Sequence, residues 1–139
     1  MKLCNDVITV FNARVDPEEG GKVYFPTTIT GASWYATDAT TVDSTKGGLV
    51  AANKVTVRIP EDANTGGKAY ADPLTYASAS SVEGLWTLQN GDIIIKGEAT
   101  GTDYTPATLK KAFADCMTVL AVTNNRRAPN APHWRITGT

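Results

Sequence analysis

The segment DVITVFNAR, Asp6–Arg14, constrains the fold more than any other stretch of the chain. Read as a strand, it puts Val7, Thr9, Phe11 and Ala13 on one face and Ile8, Val10 and Asn12 on the other, because successive strand side chains alternate sides. Both faces begin apolar. A sheet with one wetted side cannot satisfy that pattern, so the strand belongs in the middle of a sheet or in a small closed one.

The segments that follow carry the same period of two. KVYFPTTITGASWYAT reads as one long or two short strands, with Pro26 marking an edge or bend and Gly31 a bulge. NKVTVRIP alternates cleanly, with Val55, Val57 and Ile59 on one side, Thr56 and Arg58 on the other, and Pro60 as its stop. Between these runs, DPEEGGK (Asp16–Lys22) has turn chemistry, and DSTKGGLVAANK (Asp43–Lys54) reads mostly as loop. LWTLQNGDIIIKGEA is the strongest local signal. Two apolar, β-branched runs flank Asn90-Gly91, which predicts a hairpin with a type I′ turn. Near the C-terminus, CMTVLAVTNN and HWRITG are strands separated by the turn RRAPNAP. In the last strand His133, Arg135 and Thr137 share one face, and Trp134 and Ile136 the other.

One helix is legible, in TPATLKKAFADC. Thr105 can cap it, Pro106 suits its first turn, and Leu109 and Phe113 share a face over Pro106–Asp115. A stretch of different character, Glu61–Gly84, is rich in Ala, Ser, Gly and Asp with little periodicity. It reads as a long flexible interaction loop whose anchors are Tyr70 and Tyr76. The expectation is one mainly-β domain over residues 1–139: a small antiparallel β-barrel or sandwich, one short helix, and a long central loop at 61–84.

Composition narrows function. With 139 residues, 42% of them hydrophobic and 19% charged, the chain can build a real core. Its 13 basic and 14 acidic residues leave a net charge of −1, which argues against whole-surface attraction to nucleic acid. Only the C-terminal segment concentrates basic residues. No apolar run approaches the roughly 18 residues of a membrane span, and the first residues lack a signal-peptide core. Cys4 and Cys116 are expected as free thiols in a reducing cytosol, acting as small buried hydrophobes; two cysteines and one histidine without close spacing make a poor zinc set.

No motif carries catalysis. The chain has no G-x-S-x-G elbow and no G-x-x-x-x-G-K-[ST] loop, and its acid pairs, Glu18-Glu19 and Glu61-Asp62, lie in turn-like segments. His133 is the only histidine, so a nucleophile–base pair would rest on it alone. The residues most suited to interaction are Arg126, Arg127, His133 and Arg135 with Trp134 among them. Arginine and tryptophan serve protein hot spots, phosphate contacts and base stacking alike.

Taken in order, VITVFNARVD, TTITGASWYA, KVTVRIP, NGDIIIKGEA and CMTVLAVTNNRRAPNAPHWRITG resemble a family of small minor capsid or head–tail connector proteins of tailed phages and prophages of Gram-positive bacteria. GDIIIKG at Gly91–Gly97 and VTNNRR…HWRITG at Val122–Gly138 carry the likeness, which covers nearly the whole chain apart from the central loop. The resemblance implies a non-enzymatic virion protein of the phage neck, without cofactor or metal. It would assemble in the host cytoplasm as a ring of its own copies against portal or adaptor and tail-completion proteins, in contact with packaged DNA. The alternatives are a small nucleic-acid-binding barrel that uses the C-terminal segment, and a small enzyme built on His133.

Overall fold

The computed structural model describes residues 5–15, 20–43 and 48–139, the side chains of residues 37–53 excepted. Cys4, the acids Glu18 and Glu19, and most of the turn expected at Asp16–Lys22 lie outside the described residues. Six strands form an antiparallel sheet that closes on itself in the order β1-β2-β3-β8-β7-β6. They are β1 (Asp6–Val15), β2 (Lys22–Asp43), β3 (Gly48–Pro60), β6 (Ile93–Lys96), β7 (Cys116–Asn125) and β8 (His133–Gly138). Two two-residue strands, β4 (Ala69–Tyr70) and β5 (Leu85–Trp86), pair in parallel beside this ring. The helices are α1 (Pro73–Ser78) and α2 (Pro106–Ala112).

The double-faced pattern of β1 is used on both sides. Ile8 and Val10 point into the ring, where they join Ile29, Val57, Ile59, Ile94, Met117 and Ile136. Phe11 faces outward and is nonetheless fully buried, packed with Ile93, Ile95 and Leu109 beneath α2. That helix is built as its sequence predicts. The Thr105 hydroxyl accepts from the Thr108 amide, the Thr108 hydroxyl bonds back to Thr105 N–H at 2.8 Å, and Pro106 opens the first turn. It ends at Ala112, three residues earlier than expected, with Phe113 as its C-cap.

β2 is a single strand of 22 residues that serves two neighbours. Residues 22–32 pair with β1 and residues 33–43 with β3. The change of partner coincides with Gly31, which has φ of +89° and is skipped between the pairs Asp6↔Ala32 and Val7↔Thr30. A bulge there bends the strand around the ring. β3 begins at Gly48, so Gly48–Lys54 is strand where the composition suggested loop. Small residues spaced for a turn are here held extended by β2 along a continuous ladder, Thr37↔Lys54 through Asp43↔Gly48.

The expected hairpin around Asn90-Gly91 does not form. β6 pairs with β1 and β7, whereas β5 pairs with β4. The turn is real but different. Asp92 N–H bonds Gln89 C=O at 3.3 Å, Gly91 has φ of +91°, and Asn90 has no positive φ. A single positive φ at the third position is the requirement of a type II turn, which does not return the chain along itself as a type I′ turn does.

Gly138, unremarked in the sequence, closes the ring. It pairs with Val55 on one side and Val119 on the other, and a Cβ there would stand 2.0 Å from the Thr118 carbonyl oxygen and 2.9 Å from its carbon. Backbone cannot yield as a side-chain tip can. Gly138→Ala is therefore expected to cost about 2 kcal/mol or more, within the range of overpacked cores. An unchanged urea midpoint, followed by far-UV circular dichroism, would contradict this.

Candidate interaction surface at the plugged end of the barrel

The stretch predicted as a flexible loop, 61–84, is instead folded against the chain's own barrel. Asn64 forms a two-way backbone bridge with Thr30. The Lys68 ammonium donates to Pro26 C=O at 2.9 Å and to the Thr27 hydroxyl at 3.0 Å, and burial lowers its pKa. Asp72 accepts from the Thr75 amide at 2.9 Å and caps α1, with Pro73 in its first turn. Asp-Pro is a legible start signal. The Ala/Ser-rich surroundings hid it, since six helical residues carry no full apolar repeat.

Tyr76 and Tyr70, expected as anchors for a partner, serve the interior. Tyr76 is 1% exposed and packs with Ala71 and Val82; burial, then the Asp92 charge, pushes its pKa up to about 12. Tyr70 is half-buried. Its ring lies 4.8 Å from Trp134 and 5.1 Å from Trp86, and these two tryptophans are 5.2 Å apart at 73°. Edge-to-face contacts of this kind add to the burial of large rings. Trp86 and Leu88, just beyond this stretch, belong to the same buried cluster as Ile8, Val57 and Ile59, and Ala63 and Tyr70 pack against it, so residues 61–88 together plug the ring. Tyr76→Ala is expected to destabilise the isolated protein by about 3 kcal/mol or more. A variant with unchanged thermal unfolding would restore the view of Tyr76 as a surface anchor.

The arginine pair of the C-terminal turn divides in use. The Arg126 guanidinium sits 5.1 Å from the Tyr70 ring centre and 4.9 Å from that of Trp134, and its Nε donates to the Asn124 side-chain oxygen at 3.1 Å. It is thereby committed to its own protein as a cation over aromatic faces. Arg127 makes no such contact among the described residues; it is exposed, and both arginines line an open hollow with Glu61 and Asn124. β8 alternates as predicted: Trp134 and Ile136 are buried in the core, Arg135 is exposed, and His133 is half-buried. His133 is held locally. Its Nδ1 is 2.8 Å from the Ala131 carbonyl, which can only accept, so Nδ1 carries the proton; Nε2 is then the acceptor facing the Asn125 amide at 3.5 Å. Ala131, the residue accepting that bond, has φ of +58°.

The polar centre of the molecule was not foreseen. Asn12 and Asp92 are buried at 0% and 1% exposure. The Asn12 amide nitrogen donates to Asp92 Oδ2 and to Thr87 C=O, each at 2.7 Å, and its oxygen accepts from Thr87 N–H at 3.2 Å. Asp92 Oδ1 accepts from Ala13 N–H at 3.0 Å and from the Gln89 amide at 3.2 Å. The only sequence trace of this cluster is one Asn in an apolar strand face and one Asp before IIIK. Such a network ties the plug to β1 and uses both donors of the Asn12 amide and one lone pair of its oxygen.

Among the described residues, no three His, Cys, Asp or Glu side chains gather as metal ligands would, and no helix is long and apolar enough to cross a membrane. Cys116 is a free, half-buried thiol whose pKa burial raises. With the ring, plug and C-terminal turn in place, one comparison bears on identity. The chain belongs to DUF6751, a family of unknown function whose model matches residues 3–139. No curated protein and no solved structure matches it. In this DUF6751 member the motif GDIIIKG centres on Asp92 and on the strand that closes the ring, so its residues have a structural task whatever their further role.

Burial pushes the Asp92 pKa up from 3.8 to about 6 against the pull of its hydrogen bonds from Ala13, Asn12 and Gln89. The folded state therefore holds this proton more tightly than the unfolded chain does. Asp92's contribution is most favourable below about pH 4 and is lost as pH rises through 6, a difference of about 3 kcal/mol for about two units. Urea titrations from pH 4 to 7 should show that fall in the native sequence and its absence in Asp92→Asn. Parallel pH profiles for the two proteins would exclude it.

Proposed function

We propose that the protein is a structural virion component of a tailed phage or prophage. In this reading it is a head–tail connector or head-closure piece, assembled in the host cytoplasm as a ring of its own copies at the neck. Portal or adaptor and tail-completion proteins are its neighbours, and neither catalysis nor a cofactor is part of its role.

The observation that carries this reading is the outer half of the β2–β3 pair. β1 pairs with β2 only as far as Ala32, and β8 pairs with β3 only as far as Val55. Beyond those points seven rungs, Thr37↔Lys54 through Asp43↔Gly48, continue as a two-stranded ribbon that no other described strand flanks. At ~3.4 Å per residue the ribbon runs roughly 24 Å past the ring. Two-stranded ribbons are marginal alone in water, and an unpaired edge is a template for another chain. Between Ala39 and Val42, and between Gly48 and Asn53, no charged residue guards those edges. A ribbon of that make-up fits a protein that is completed by its neighbours. The ordered resemblance to minor capsid and connector proteins points the same way. The reaching element of this reading is the ribbon, because segment 61–84 is already packed on its own barrel.

Light scattering and electron microscopy of the purified full chain test the proposal. The expected result is a closed oligomer, and a monomer when Ala39–Ala52 is replaced by an Asn-Gly turn with the unfolding temperature of the barrel retained. A chain that stays monomeric at about 100 μM and is missing from the necks of virions would overturn it.

A further inference from the structure

Strand register assembles a basic face that no single stretch of sequence displays. On β3, Lys54, Thr56 and Arg58 alternate with the core residues Val55, Val57 and Ile59, and so point outward. On β8 the outward residues are His133, Arg135 and Thr137. The register sets Arg58 directly opposite Arg135, with Ser33 beyond Arg58 on β2 and Thr123 beyond Arg135 on β7. The row beside it is Tyr35, Thr56, Thr137 and Ala121. None of these outward positions is a carboxylate, although the chain has 14 acids against 13 bases. Opposed like charges on neighbouring strands are destabilising, so two arginines side by side at the centre of the face call for an anion between them.

We propose that this outer face of β3, β8 and β7 binds the phosphate backbone of nucleic acid, without reading its sequence. Lys54 and Arg58 lie four residues apart, roughly 13 Å along the strand, so with Arg135 they engage separate phosphates rather than one. Around them stand Ser33, Thr123, Asn125 and Thr137, the hydroxyl and amide types that supplement arginine and lysine at phosphates. An acidic protein partner suits the face less well. Protein interfaces are apolar and aromatic at their centre, whereas here the centre is a pair of like-charged arginines, Arg58 and Arg135, and the large exposed apolar side chains, Tyr35 and Leu120, stand at or beside the neighbouring row. The arginines that stand out in sequence lie off this face, in the turn after β7: Arg126 stands over Tyr70 and Trp134, and both Arg126 and Arg127 line a hollow that also holds the Glu61 carboxylate.

This binding does not depend on ring assembly and is read separately from it. Amide shifts of the isotope-labelled full chain, titrated with a 20-base-pair DNA duplex at 20 mM salt, should move at Arg58, Thr123 and Arg135. The double variant Arg58→Ala/Arg135→Ala should bind about tenfold or more weakly and lose about two units of salt slope, one for each phosphate contact. Lys110→Ala/Lys111→Ala removes the same charge from exposed positions of α2 and should bind as the native protein does. No shifts at low salt, shifts confined to other faces, or equal losses in the two double variants would each overturn the proposal. So would an oligo-glutamate peptide that moves these amides while the duplex does not, which would assign the face to an acidic protein.

Discussion

The contact on which the rest of the structure depends is that of Trp86 with Trp134 inside the closed sheet. A six-stranded ring made of strands as short as β6 cannot fill its own interior from its walls alone. The chain solves this by sending Trp86 and Leu88 in from the segment after α1, to meet Ile8, Val57, Ile59 and Ile136. Everything near that end of the barrel then acquires its position. Tyr70 meets Trp86 edge to face and lies tilted against Trp134, Arg126 lies over Tyr70 and Trp134, and the turn between β7 and β8 is held against the plug.

The apolar plug would be free to slide without a directional lock, and Asn12 with Asp92 provides it. Burying a carboxylate is unfavourable unless donors surround it, and here Asn12, Ala13 and Gln89 supply them. The cost remains visible in the raised pKa of Asp92. In exchange, the chain on either side of the Gln89–Asp92 turn has one register against β1. Specificity of placement, rather than net stability, is what a buried polar network of this kind offers.

Much of the wall was legible in sequence. The two apolar faces of β1 implied a closed or central strand, Gly31 marked the bulge where β2 changes partner, and Thr105-Pro106 opened α2. The alternation of β8 separated Trp134 from Arg135 correctly. Three features were misread for related reasons. Asn90-Gly91 favours a hairpin only if its flanking runs prefer each other, and Ile93–Ile95 found better partners in β1 and β7. Glu61–Gly84 lacked periodicity because it packs on the barrel through unevenly spaced residues, Ala63, Tyr70, Ala71, Tyr76 and Val82, so neither a period of two nor of 3.6 could appear. Gly48–Lys54 looked like loop because its extended form is dictated by β2 across the ladder, not by its own propensity.

What the sequence by itself determined is local: which residues alternate, where a helix can start, and that the chain would be mainly β with apolar surface to hide on both sides of its first strand. Those properties follow from side-chain period and backbone preference, which act over a few residues. Only the tertiary structure decided which strands became neighbours. That choice put Tyr70 and Tyr76 inside, buried Asp92 beside Asn12, left a ribbon without flanking strands, and set Arg58 opposite Arg135, 77 positions apart in the chain. Pairing across such distances depends on how the whole core packs, and no window of sequence contains that information.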